Sequence, residues 1–261
     1  MTTLDVTAPI PVRSPLPAGL KGSTVVIVGG SSGIGLAAGA LLHDIGARVV
    51  LVGRDQARLD AAVARIGEGG PDVLAASADG GDEQALARVL DQAGSVDHVL
   101  VTAGGLEGAG TIDALTPEAV RSTLDARIWG ALAAARLTAP RLPAGGSITL
   151  SSGVYSIRPL PGLAGPLAAL GAVEALTAAL AVELAPRRLR VNAVRYGSTD
   201  TPLMRGAAGL ITDEAVAEAG AAMLLGRFAT PAEAAAAAVF LMANTYVNGQ
   251  VITIDGGQSL V

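Results

Sequence analysis

The stretch Val28-Gly29-Gly30-Ser31-Ser32-Gly33-Ile34-Gly35 closes the apolar run Thr24–Val28 and opens directly into an Ala-rich helical pattern. Glycines in that setting permit a tight strand-to-helix turn and let main-chain amides come close to an anion. The positive end of the helix then favours a diphosphate. A glycine-rich loop alone is a weak signal. A strand before it and a helix after it supply the context a dinucleotide site needs, so Gly29, Ser31, Ser32, Gly33, Ile34 and Gly35 are expected to line one.

Outward from this turn, short β-branched runs alternate with amphipathic Ala-rich segments. Strands are expected at Thr24–Val28, Arg48–Val52, Asp72–Ala76, His98–Val101, Ser147–Leu150, Arg190–Val194 and Val251–Ile254. Helices are expected around Ile34–Ile45, Ala57–Ile66, Glu83–Gln92, Pro117–Leu137, Leu167–Leu184 and Ala232–Met242. Near-continuous apolar strands between helices indicate a parallel sheet covered on both faces. The fold class is therefore α/β: a single-domain, Rossmann-type doubly wound parallel sheet of about seven strands.

The second strand ends Val52-Gly53-Arg54-Asp55. An NAD site usually places a carboxylate here for the ribose diol; Gly53 followed by Arg54 instead suits a 2′-phosphate, so NADP(H) is expected over NAD(H). A solvated first-turn role is the alternative for Arg54. Asp79, after the third strand, is placed either to touch adenine or to cap the next helix.

Composition narrows the partners. Net charge is −5 with no basic run, which argues against nucleic acid and anionic membranes. The chain has no cysteine and two isolated histidines, His43 and His98, so no metal site is expected. Pro9, Pro11, Pro15 and Pro17 punctuate an N-terminal arm over 1–20, read as flexible or partner-wrapping; the domain proper is expected over 21–261. The uncharged stretches Gly22–His43 and Ala234–Ile254 are broken by Gly, Ser or Asn, so neither reads as a membrane span, and a cytoplasmic location is expected.

These residues resemble the short-chain dehydrogenase/reductase (SDR) superfamily over nearly all of the chain after the arm. Gly29–Gly35 resembles its TGxxxGIG motif, with Val28 for Thr. Val101-Thr102-Ala103-Gly104 resembles its NNAG, both Asn being replaced, and Ser147–Ser152 resembles the strand bearing the catalytic Ser. Arg190-Val191-Asn192-Ala193-Val194 matches the strand before the PG motif, here Tyr196-Gly197 with Thr199 and Thr201 following, and Ile254-Asp255-Gly256-Gly257 resembles the C-terminal strand and turn. The resemblance implies cofactor contacts at Ala103, Gly104, Tyr196, Gly197, Thr199 and Thr201. For Tyr196, packing or gating beside the nicotinamide is the expected role. The resemblance also implies a homodimer or homotetramer paired through the long helices, and a small-molecule substrate.

In the family a Tyr protonates the substrate oxygen and a Lys four residues later assists it. Aligned on Glu174–Leu184, those positions hold Pro166 and Leu170. The only lysine is Lys21, and Tyr155, Tyr196 and Tyr246 are followed four residues on by Pro159, Asp200 and Gln250, so no YxxxK exists. Arg127, in Arg127-Ile128-Trp129-Gly130, stands where the family has Asn. This resembles a divergent SDR branch and the SDR-derived reductase/Diels–Alderases, which use an Arg on this helix and an Asp near the lost Tyr; no carboxylate lies between Ser152 and Gly171 here.

Three residues are candidates for chemistry. Ser152 is expected to donate a hydrogen bond to a substrate carbonyl, the alternative being a satisfied strand-end hydroxyl. Arg127 either stabilises an oxyanion or clamps an anionic substrate group, or forms a structural ion pair. Tyr155 is either the remaining acid or an aromatic wall residue. The functional expectation is an NADPH-dependent reductase with a non-standard active site, acting on a small carbonyl or an imine/iminium. The alternatives are a non-redox cyclase or pericyclase on the same scaffold and a non-catalytic NADP(H)-binding protein. Trp129 is expected in core or interface.

Overall fold

The computed structural model describes residues 13–67, 72–105 and 108–261. Seven parallel strands form one sheet in the order β3-β2-β1-β4-β5-β6-β7. They are β1 (Thr24–Val28), β2 (Arg48–Gly53), β3 (Val73–Ser77), β4 (His98–Val101), β5 (Ser147–Gly153), β6 (Arg190–Tyr196) and β7 (Val251–Ile254). The helices are α1 (Gly33–Asp44), α2 (Gln56–Gly67), α3 (Glu83–Ala93), α4 (Pro117–Leu124), α5 (Gly130–Thr138), α6 (Ala164–Glu183), α7 (Pro202–Ala208), α8 (Asp213–Ala221) and α9 (Pro231–Ala243).

Both faces of the central strands are buried, which is why they read as unbroken apolar runs. Val26, Val28, Val50, Val99, Leu150 and Val191 pack under α3, α5 and α6. Val25, Ile27, Leu51, Leu100 and Val194 pack under α1, α2 and α9. Fully burying such a side chain contributes roughly 1.5–3 kcal/mol. The near absence of large aromatics is met by close approach of helices: Ala38 and Leu42 of α1 and Ala234, Ala235 and Ala238 of α9 share one cluster. Helix α6 is long and apolar enough by composition to cross a membrane, but Ala169, Leu170, Val173, Thr177 and Leu180 face inward. It is a core helix.

Three departures from the sequence reading stand out. The helix expected over Pro117–Leu137 is α4 and α5 joined by a π-helical turn over Asp125–Trp129. Strands β5 and β6 run on through Gly153 and Tyr196, beyond their apolar portions. In the expected arm, residues 1–12 lie outside the described residues, whereas Pro17–Leu20 form a 3-10 turn that packs on α9 and buries Leu20.

Strand order reverses between β1 and β4. The Thr102 and Ala103 amides donate to the Val28 carbonyl at 2.8 and 3.1 Å, so the two strand ends stay together as their connections part. In open α/β sheets the ligand crevice lies at such a switch point, outside the carboxyl ends of the strands.

Candidate active site

The turn after β1 has the geometry its glycines foretold. Gly29 has φ +97° and Gly33 φ +54°, both in the region that favours glycine. Ser32 precedes α1 in extended conformation and its side chain makes no cap bond. The first helical bond runs from the Leu36 amide to the Ser32 carbonyl. The amides of Ser31 to Gly35 therefore donate to no described residue, at the positive end of α1. That is a fit for a diphosphate. The methyl carbon of Thr201 closes over the turn, within 3.3 Å of where a side chain on Gly33 would begin. The segment after β6 thus meets the loop after β1.

The adenosine side is open. Arg54 is exposed at the end of β2, and no described residue pairs with its guanidinium. A side chain on Gly53 would begin 3.2 Å from Ser31 Oγ, so glycine there keeps the strand end clear. Asp79 is exposed and its Oδ1 accepts from the Gly81 amide at 2.9 Å. The cap of α3 is Asp82, not Asp79. Trp129, 45% exposed, is not a core residue; its Nε1 donates to the Gly81 carbonyl at 3.2 Å.

At the other end, the π turn carries Arg127 to β4. Its Nη2 donates to the Gly105 carbonyl at 2.6 Å, and its guanidinium lies against Gly104, 3.0 Å from where a side chain there would start. Arg127 also borders a small cavity with Ala103, Ala131, Ser151 and Val173. Inserted π turns recur at functional sites.

Two expectations are corrected, the first only in part: Tyr196 is a packing residue, as expected, but its side chain packs away from the crevice. The Tyr196 side chain joins the cluster with Leu100, Val194 and α9, and burial pushes its phenol well above the ordinary range. Strand alternation is the reason: residues 192, 194 and 196 face the α1/α9 layer while 195 faces α6. Any contact of Tyr196 with a nucleotide must come from its main chain. Gly197 lies under Asp255, and Thr199, buried, hydrogen-bonds through Oγ1 to the Gly197 carbonyl at 3.1 Å, so both shape the loop.

The second correction concerns Ser152. It is buried and faces α6, but its Oγ donates at 2.6 Å to Glu174 Oε1. Glu174 also accepts from Ser156 Oγ at 2.7 Å and from Arg195, whose Nε and Nη2 reach the two carboxylate oxygens at 2.9 and 2.5 Å. Arg195 Nη1 donates on to Thr253 Oγ1 at 2.9 Å, tying α6, β5, β6 and β7 together. A hydroxyl has a single proton. With an ionised carboxylate this close, the Ser152 proton is committed and cannot serve a carbonyl. Tyr155 sits half-buried on the 3-10 turn Val154–Ser156 that follows.

Glu174 and Arg195 were not singled out from sequence, although two signals pointed to them. Positions 166, 170 and 174 fall on one face of α6, and Arg195 is the β6 register partner of Ser152. Pro166 and Leu170 are both buried there, 4% of Leu170 remaining exposed, so neither position offers a titratable group.

Burial raises the Glu174 pKa, but the Arg195 guanidinium and the Ser152 and Ser156 hydroxyls outweigh it, and the carboxyl lies below its usual value. A depressed folded-state pKa makes its stability contribution fully present above the unfolded value of about 4.3, and lost as pH falls through the lower folded one. The stability gap between the wild type and Glu174→Gln, read from urea midpoints, should stay constant from neutral pH to about 5 and narrow below that. A gap that widens towards acid would contradict the assignment.

Fold and site define a nicotinamide-dinucleotide type of α/β protein with its crevice at the β1/β4 switch. Residues 28–259 match the family model described as enoyl-(acyl carrier protein) reductase. A short-chain dehydrogenase/reductase of Stachybotrys chlorohalonatus is 32% identical over 254 residues, covering 92% of this chain and 98% of that protein. The structure of MalC reductase/Diels-Alderase from Malbranchea aurantiaca aligns with a TM-score of 0.84 at 29% identity, over 93% of this chain and 98% of the other. A short-chain oxidoreductase of Pseudomonas aeruginosa, described as containing an atypical catalytic center, aligns with a TM-score of 0.81 at 26% identity, over 90% and 96%. The chain belongs to the short-chain dehydrogenase/reductase family, oxidoreductases that use nicotinamide cofactors.

Proposed function

We propose that this protein is an NADPH-dependent reductase whose active site has been rebuilt to reduce a small substrate that arrives already activated, an imine or iminium or a similarly primed cyclic carbonyl. The observation that carries the reading is the inner face of α6, where Pro166 and Leu170 are buried and proton-free and the next turn brings a carboxylate that occupies Ser152. Reducing an ordinary ketone creates an alkoxide that needs a proton or strong electrostatic stabilisation. The guanidinium of Arg127 holds its proton too tightly to be a ready donor. Adding a hydride to the carbon of a C=N⁺ group neutralises the nitrogen and leaves an amine, so no side chain has to give a proton. Bound NADPH supplies that hydride.

For this substrate the chain's own residues position and exclude. The amides of Ser31 to Gly35 hold the diphosphate, Thr201 closes over it, and Ala103 and Gly104 wall the nicotinamide end with Arg127 behind them. Tyr155 borders the substrate side and is the reserve acid for a carbonyl substrate. The likeness to a reductase/Diels-Alderase supports a scaffold used beyond simple ketones. It also supports the second reading, a non-redox cyclisation in which the nucleotide shapes the pocket. A cytoplasmic homodimer or homotetramer remains part of the proposal.

The exposed Arg54 beside Gly53 supports NADPH over NADH. Arg54→Ala should weaken NADPH binding about tenfold, or about 1.4 kcal/mol, and leave NADH binding unchanged, as read by calorimetric titration. Equal losses for both nucleotides would sink the 2′-phosphate assignment.

A further inference from the structure

Ser152 Oγ gives its proton to Glu174 and receives no hydrogen bond from any described residue. A serine in this state has acceptor capacity and nothing left to donate. The residue is 5% exposed, at the carboxyl end of β5 beside the crevice, and next along the chain come Gly153, Val154 and the half-buried Tyr155. The donation cannot reverse. Oε1 of Glu174 already takes hydrogen bonds from Ser156 and from Arg195 Nε, and Oε2 takes one from Arg195 Nη2. An oxygen so surrounded by donors belongs to an ionised carboxylate.

The geometry points to Ser152 as an obligate hydrogen-bond acceptor that selects substrates presenting an N–H, with Glu174 and Arg195 as the positioning pair that makes it so. This rests on the reductase reading and names its substrate class: a protonated cyclic imine, reduced to a neutral secondary amine that keeps its N–H and takes a proton from solvent to become an ammonium. Donation to a carboxylate polarises the hydroxyl and strengthens its oxygen as an acceptor, which suits a cationic donor. A carbonyl or ether oxygen in the same place would face Ser152 acceptor to acceptor, with neither group satisfied. Sites built to pair a polar hydrogen reject the analogue that lacks it far more strongly than apolar pockets reject a missing methylene. The segment after Tyr155 exposes Ile157 and Leu160, so the ring system to try first is apolar.

The test compares two ligands of one skeleton, tetrahydroisoquinolinium and isochroman, titrated calorimetrically into the NADP⁺-loaded protein. The ammonium should bind at least tenfold more tightly than the ether. Glu174→Gln, whose amide nitrogen can donate to Ser152 and release the serine proton, should erase that preference. Should this variant fail to fold, Ser152→Ala removes the acceptor with the Glu174–Arg195 pair intact and should erase it equally. Equal binding of the two ligands by the wild type, no binding of the ammonium, or a preference that survives both substitutions would overturn the inference. NADPH consumption with 3,4-dihydroisoquinoline is followed separately. Ammonium selectivity without consumption removes the reductase reading and leaves the acceptor role standing, whereas consumption without selectivity does the reverse.

Discussion

Gly35→Ala is expected to cost about 3 kcal/mol of stability, in the upper part of the usual range for overpacking, and to weaken NADPH binding on the order of 100-fold. A side chain at this position would begin far inside van der Waals contact distance of the Gly29 carbonyl oxygen and 2.6 Å from Thr102 Oγ1. Neither neighbour can yield cheaply. Thr102 is held to β1 by its amide, at 2.8 Å from the Val28 carbonyl, and its hydroxyl donates to the Gly29 carbonyl at 3.2 Å. The only relief is to push α1 away from the turn, which spreads the amides that the diphosphate needs. Denaturant unfolding and calorimetric titration of one preparation measure both effects. A variant that binds NADPH within a few-fold of the wild type would show that the nucleotide does not lie on this turn.

Arg190→Ala should destabilise the fold by about 3–5 kcal/mol, since three carbonyls lose a charged donor at about 1–3 kcal/mol for each one left buried and unsatisfied. Arg190 is 5% exposed at the start of β6, and burial pulls its pKa down to about 10, which leaves it charged at neutral pH. Nη1 donates to the carbonyls of Leu241 and Val247 at 2.6 and 3.1 Å, and Nη2 donates to that of Met242 at 2.7 Å. Leu241 and Met242 lie in the last turn of α9, where carbonyls lack helical partners and a cation is favoured. Alanine leaves those acceptors buried and a cavity beside them. At 2–4 °C per kcal/mol for a chain of this size, the melting temperature should fall by roughly 10 °C. Because Arg190 sits at the opposite end of β6 from the crevice, NADPH affinity of the folded variant should stay within about twofold. A large change in affinity would mean that the two ends of β6 are coupled.

The turn after β1 was legible because its geometry is local. A turn, its glycines and the helix that follows are contiguous; of the residues that meet them, Thr102 follows the end of β4 directly and Thr201 is the N-cap of α7. The catalytic half is assembled from chain segments far apart, and there two rules of periodicity decided the outcome. Ser151 to Gly153 and Arg195 to Tyr196 are mostly polar, so the strands seemed to stop before them, yet pairing carries on and sets Ser152 opposite Arg195. With the strand extended, period-two alternation sends Arg195 towards α6 and Tyr196 into the opposite core. The helical period then brings Glu174 two turns beyond Pro166, just past the window in which a carboxylate was sought. The π turn at Asp125–Trp129 had no sequence signal, since propensity over 117–137 favours helix throughout and does not distinguish a wider turn. Short α7 and α8 were missed because each has few buried residues.

The central claim is that a dinucleotide on the Ser31–Gly35 amides delivers hydride to a C=N⁺ carbon in a site with no side-chain acid at positions 166 or 170. It is tested most directly with NADPH deuterated at the transferring carbon and 3,4-dihydroisoquinoline, with the amine product read by mass spectrometry. One deuterium per amine, on the former imine carbon, is the predicted result. Unlabelled product, or cofactor left unconsumed while substrate is converted, would contradict the account and favour a non-redox reaction on the same scaffold.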